Sequence, residues 1–166
     1  MEHIGTTTSA NSARVGLRMI IAVCITMTAA LPAILIPEQI MGWYAGLTHP
    51  SFAPPDHVFG SVWIVLYWLM GIAAGLVWAQ GARVPVKHAL SLYGVQLLLN
   101  ATWTFVFFGL HSPLLGLVVI VPLLGLIVPT MRSFFPINRS AGWMMLPYIL
   151  WIAYTTLLNA AFVLLN

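Results

Sequence analysis

Charge is what this 166-residue chain has least of: only 5% of its residues are Asp, Glu, Lys or Arg, while 61% are hydrophobic and the mean hydropathy is +0.98. A soluble domain carries charge at about a quarter of its positions. Six basic and three acidic side chains cannot cover a soluble surface, so the composition excludes a water-soluble globular fold and points to an integral membrane protein. Cysteine is nearly absent as well. Cys24 is the single one and sits inside an apolar run, which excludes an intrachain disulfide. Acids and bases are missing from every long apolar stretch, so neither a catalytic acid–base pair nor the intramembrane ionisable residue of a proton-coupled carrier is available there.

What is present is long and apolar. A membrane-crossing helix needs about 20 such residues, and five stretches qualify: residues 19–36, ended by Pro37, then 58–79, 89–110, 114–131 and 142–165. The expected fold class is an all-α integral membrane protein, a single domain over residues 14–166, with a disordered polar tail over residues 1–13. A long Pro-rich loop is expected between the first two helices. Pro32, Pro122 and Pro129 fall inside the first and fourth stretches and are expected to bend them. Arg14 and Arg18 followed by a short apolar run also fit a cleaved signal peptide, but the run continues past Ala30 to Ile36, long for such a segment, and an uncleaved first span is expected.

The basic residues carry a direction. Arg14 and Arg18 precede the first stretch, Arg83 and Lys87 follow the second, and Arg132 and Arg139 follow the fourth. With five crossings all six fall on one face. By the positive-inside rule the N-terminus is inside, and the Pro-rich loop and C-terminus are outside. Helical spans favour a bacterial inner membrane or an organelle membrane over a barrel-type outer membrane, and the bacterial inner membrane is expected.

The few polar residues recur at helical spacing. The third stretch carries Gln96, Asn100, Trp103 and Phe107, the fifth Tyr148, Trp151, Thr155 and Asn159, and the second Trp63, Tyr67, Gly71, Ala74 and Trp78. Each set shares one helix face. An unpaired amide in hydrocarbon costs several kcal/mol, so Gln96, Asn100 and Asn159 must face inward. Two readings remain open: the amides bond one another and fix helix packing, or they line a cavity for a flat apolar ligand, since aromatic walls with a few placed polar groups characterise such pockets. Gly71 and Gly75 allow close helix approach, either inside one chain or across a dimer. Trp78 and Trp143 lie near span ends, where aromatic belts form. The loop residues Trp43, Tyr44, Pro50, Phe52, Pro54 and Pro55 are expected to form a stiff lid over the bundle. His49 and His57, eight apart in that loop, are read as solvated histidines rather than a metal site.

Three blocks, "WYAGLTHPSFAPP…VFGSVWIVLYWLMG", "QLLLNATWTFVFFG" and "LPYILWIAYTTLLN", resemble in order and spacing the TspO/MBR family, that of the tryptophan-rich sensory and translocator proteins. The resemblance covers residues 42–159. It implies a five-helix membrane bundle, a homodimer in the family's habit, and a pocket beneath the first loop that takes a porphyrin such as protoporphyrin IX or haem, with no required cofactor and no nucleic-acid partner. Carried over to this sequence, the ligand-binding positions are Trp63, Tyr67, Asn100, Trp103, Tyr148, Trp151, Thr155 and Asn159. The implied function is a tetrapyrrole-binding sensor, regulator or translocator. The alternatives are a passive transporter and a light-dependent porphyrin-degrading enzyme, in which Trp63 and Trp151 would be the reacting side chains. Phe52 stands where the family usually has tryptophan, and Thr155 where it usually has alanine. No basic residue follows Asn159, so the family's cholesterol-type pattern is absent.

Overall fold

The computed structural model describes residues 3–35 and 38–166; the expected helix stop at Pro37 lies outside them. Among the described residues the chain is all helical. The elements are α1 His3–Thr28, α2 Leu31–Leu35, α3 Glu38–Ala45, α4 Asp56–Ala79, α5 Val84–Thr104 continued by a π-helical turn Phe105–Gly109, α6 Pro113–Phe134, α7 Arg139–Met144 and α8 Leu146–Leu165. Among the described residues four stretches are long and apolar enough to cross a membrane: His57–Ala79, Val84–Gly109, Pro113–Phe134 and Arg139–Leu165.

Three expectations are corrected. The first apolar stretch is not one helix. Pro32 has no N–H to give the carbonyl of Thr28, four residues earlier, so α1 ends there and α2 begins after the turn at Ala29 and Ala30. Second, α1 reaches back to His3, into residues expected as a disordered tail. Third, the long loop is half helix: Glu38–Ala45 forms α3, leaving residues 46–55 as irregular connection. Trp43 and Tyr44 therefore sit on a helix rather than in a loop.

Prolines set several of the helix starts. Pro85, Pro113 and Pro147 occupy the first two positions of α5, α6 and α8, where a missing donor costs nothing. Ser112 and Asn138 cap α6 and α7, accepting from the amides of Leu115 at 3.3 Å and Ala141 at 3.0 Å.

Helix α1 packs along α4 at backbone contact. A Cβ added to Gly71 would lie 2.6 Å from Cα of Val23, and one added to Gly75 would lie 2.6 Å from Cα of Met19. The glycine pair thus serves packing within the chain, the first of its two readings. The same pair of helices is fastened at one end by Arg18, whose Nη1 donates to the carbonyl of Trp78 at 3.1 Å and reaches that of Ala79 at 3.5 Å. Its guanidinium also lies 5.9 Å from the Trp78 ring centre, so Trp78 has a structural partner as well as a place near a span end. A cation at a helix C-terminus and over an indole is favourable on both counts. Arg18→Leu is expected to cost about 1–2 kcal/mol, read as a lower thermal midpoint in detergent, with Arg18→Lys restoring only part.

At the other end the chain terminus meets the connection. The backbone amide of Thr48 donates to Asn166 Oδ1 at 2.8 Å, and Asn166 Nδ2 donates to the Thr48 carbonyl at 3.2 Å. Tyr154 on α8 donates its hydroxyl to the Phe52 carbonyl at 2.8 Å. The connection is tied down at two points. Tyr154→Phe removes one of them, and faster hydrogen exchange across residues 46–55 is expected, with a stability loss of about 1 kcal/mol or less.

Candidate functional site

The inward stripes of α4, α5 and α8 meet. Gln96, Asn100, Asn159, Thr155 and Tyr148 are all buried, as the cost of exposed amides in hydrocarbon requires. Asn100 is fully buried and joins all three helices: Tyr67 of α4 donates its hydroxyl to Oδ1 at 2.6 Å, and Nδ2 donates to the Tyr148 hydroxyl of α8 at 3.2 Å. A second amide does the same nearer the connection. Asn159 Oδ1 accepts from Trp103 Nε1 at 3.0 Å, while its Nδ2 donates to the Pro113 carbonyl at 2.7 Å. It thereby ties α8 to α5 and to the first turn of α6.

These two struts hold a run of rings. Tyr67 lies against Trp63 at 5.6 Å between ring centres, Trp63 stacks on Trp103 at 6.0 Å and 27°, and Trp103 stacks on Phe107 at 5.5 Å and 28°. Phe107 then meets Tyr44 edge-on at 6.3 Å, and Trp43 at 6.0 Å. The run therefore passes from α4 through α5 to α3. Trp151 stands apart. Among the described ring pairs it touches Phe59 at 5.6 Å and Tyr154 at 5.3 Å, and it joins the run only through Phe59, itself 6.3 Å from Trp63. The Thr155 hydroxyl donates to the Trp151 carbonyl at 2.8 Å.

Of the expected lid residues, Tyr44 is buried and closes the interior, packing on Phe108 and Phe162 at 5.5 and 5.4 Å. Trp43 stacks on His111 at 4.7 Å. His111 holds a left-handed backbone with φ of 52° in the α5–α6 turn. Phe52 is half exposed, and Pro50, Pro54 and Pro55 shape the connection; Pro55 offers its carbonyl to the amides of Val58 and Phe59, starting α4. Of the two loop histidines, His49 packs on Tyr44 and Phe162 with Nε2 3.1 Å from the Tyr44 carbonyl, whereas His57 is exposed.

The sequence reading missed Phe108, Phe162 and Gly116. Phe162 could have been found, since it extends the α8 stripe by one turn. Gly116 could not: a Cβ there would lie 2.8 Å from Asn159 Oδ1 and 2.9 Å from Phe107, and only the fold brings those atoms together.

Two polar groups lack partners among the described residues. Both side-chain amide atoms of Gln96 and the indole N–H of Trp151 are buried without a hydrogen bond. Buried unpaired donors are uncommon in native proteins. The enclosed space is small. Between Tyr44, Phe59, Trp103, Phe107, Thr155 and Asn159 the interior holds about 10 Å³, the room of roughly one water. A larger space of about 470 Å³ opens between α4 and α8, lined by Ser61, Val65, Leu69, Pro147, Leu150 and Trp151 among others.

A family profile described as the TspO/MBR family matches residues 20–165. The chain is 35% identical over 150 residues to the tryptophan-rich protein TspO of Chlorobaculum tepidum, covering 88% of this chain and 95% of that one. It is 35% identical over 139 residues to the tryptophan-rich sensory protein of Cereibacter sphaeroides, covering 83% and 84%. It is 38% identical over 119 residues to the human translocator protein, covering 70% of each.

Proposed function

The chain belongs to the TspO/MBR family, a multi-pass integral membrane protein, and from that premise we propose that it is a membrane receptor for a flat, largely apolar ligand of the tetrapyrrole class, acting as a sensor, regulator or translocator. The observation that carries this reading is the ring run Tyr67–Trp63–Trp103–Phe107, held by Asn100 and Asn159 from three helices. Rings presented in near-parallel order offer stacking surface to a planar macrocycle. The Trp151 N–H, buried without a partner among the described residues, offers a hydrogen bond to its polar edge. The interior as it stands has room for about one water, so binding requires the rings around it to move apart.

In the same reading α1 and α2 together complete a fifth crossing. The end bearing Arg18 and Arg83 faces the cytoplasm across a bacterial inner membrane, and the end bearing Thr48 and Asn166 faces outward. The chain is a homodimer, and its dimer face is not the Gly71–Gly75 stripe, which α1 already fills.

Titration of purified protein with protoporphyrin IX, followed by the porphyrin absorption band, tests the function. Saturable binding is expected, weakened roughly two- to tenfold in Trp63→Phe, the effect of about 0.5–1.5 kcal/mol of lost aromatic contact. Linear, non-saturating uptake equal to that of empty micelles would remove the proposal. Repeating the titration under illumination distinguishes holding the ligand from degrading it.

A further inference from the structure

The larger of the two described spaces is not where the lid lies. Inside the bundle there is room for about one water, while the seam between α4 and α8 opens a groove of about 470 Å³. Small-molecule sites run from about 300 to 1,000 Å³. The groove's walls at Val65 and Leu150 are largely exposed and lie at mid-span, so its mouth meets the hydrocarbon of the bilayer rather than water. Two rings meet between groove and interior. Trp151 lines the groove, Phe59 lines the small cavity, and the two pack on each other at 5.6 Å. Next along α8, Thr155 lines the cavity and is bonded to the Trp151 carbonyl. The indole N–H of Trp151 is buried and has no acceptor among the described residues.

We propose that the α4–α8 seam is a lateral portal through which a flat apolar ligand with a hydrogen-bond acceptor at its edge enters from the bilayer, with Phe59 and Trp151 as its gate. The proposal rests on the ligand reading above. The groove takes the ligand first, and the Trp151 N–H finds its missing acceptor on the ligand's polar edge. Displacement of the Phe59 ring then opens the way to Trp63, 6.3 Å from it between ring centres, and to Trp103, which lines the same small cavity. A portal in the seam also leaves the connection tethered at Thr48 and Phe52 during entry.

Stopped-flow mixing of protoporphyrin IX with the full chain in phospholipid nanodiscs tests the portal, with porphyrin fluorescence as the signal. Val65→Phe combined with Leu150→Phe fills the groove from lipid-facing positions. It is expected to slow association about tenfold at unchanged amplitude, as a conformational obstruction does, and to slow dissociation alongside it. Phe59→Ala is expected to speed both. Leu157→Phe, equally lipid-facing on α8 but outside the groove, should behave as wild type and controls for added bulk. Wild-type rates in the groove-filled variant would overturn the portal and leave the seam to lipid acyl chains, with the interior site intact. Absence of saturable binding by the wild type would instead remove the ligand reading, and the portal with it.

Discussion

Asn100→Ala is expected to weaken protoporphyrin IX binding by about tenfold or more, a loss of at least about 1.4 kcal/mol, and to lower the thermal midpoint as well. The substitution strands two tyrosine hydroxyls that now share one amide, Tyr67 at 2.6 Å and Tyr148 at 3.2 Å. Hydrogen bonds between membrane helices contribute about 0.6–2 kcal/mol each, so the two together give a stability loss of about 1–4 kcal/mol. Asn100 is fully buried and acts as a positioning residue, since what it holds is the relative setting of α4, α5 and α8 and therefore the angle between Trp63 and Trp103. Tyr67→Phe removes one of the two bonds and is expected to fall midway in both stability and affinity. Equal affinity in Asn100→Ala and wild type, with the stability loss present, would show that the strut serves packing alone.

The other large effect is at the α1–α4 contact. Gly75→Leu is expected to destabilise the protein by about 3 kcal/mol, the upper end of overpacking costs, because the first added carbon meets the Met19 backbone at 2.6 Å rather than a flexible side-chain tip. Gly71→Leu should do the same at Val23. Helix α1 must then move away. Val23 is buried at present, so Val23→Cys in a Cys24→Ser background should be protected from maleimide in detergent and become labelled when Gly71→Leu is added. Protection that survives the added leucine would mean that α1 does not depend on this contact.

The site was legible in the sequence to the extent that hydrocarbon forces the answer. Amides cannot face lipid, so Gln96, Asn100 and Asn159 had to point inward, and the rings sharing their helix faces came with them. Two features escaped for physical reasons. Helical spacing assumes 3.6 residues per turn, but Phe105–Gly109 is a π-helical turn, whose wider winding lets Phe107 and Phe108, adjacent in sequence, both reach Tyr44. Helix α3 was hidden because its eight residues are too few, and Gly42 too weak a helix former, to signal a helix without the tertiary contacts of Tyr44. The glycine pair was visible but its partner was not, since no spacing within α4 says which helix will lie across it. Pro32 announced a disturbance, and the chain's response, a full break, depended on the turn at Ala29 and Ala30 that spacing does not encode.

The central claim, that one interior run of rings receives the ligand, is tested most directly by fluorine NMR of protein labelled with 5-fluorotryptophan, titrated with protoporphyrin IX. Trp103 is almost fully buried, whereas Trp68 and Trp143 are more than half exposed. The account predicts that the Trp63, Trp103 and Trp151 resonances shift together and saturate at one ligand concentration, while those of Trp68 and Trp143 stay in place. Shifts confined to Trp68 and Trp143, with Trp63 and Trp103 unmoved at saturation, would contradict it.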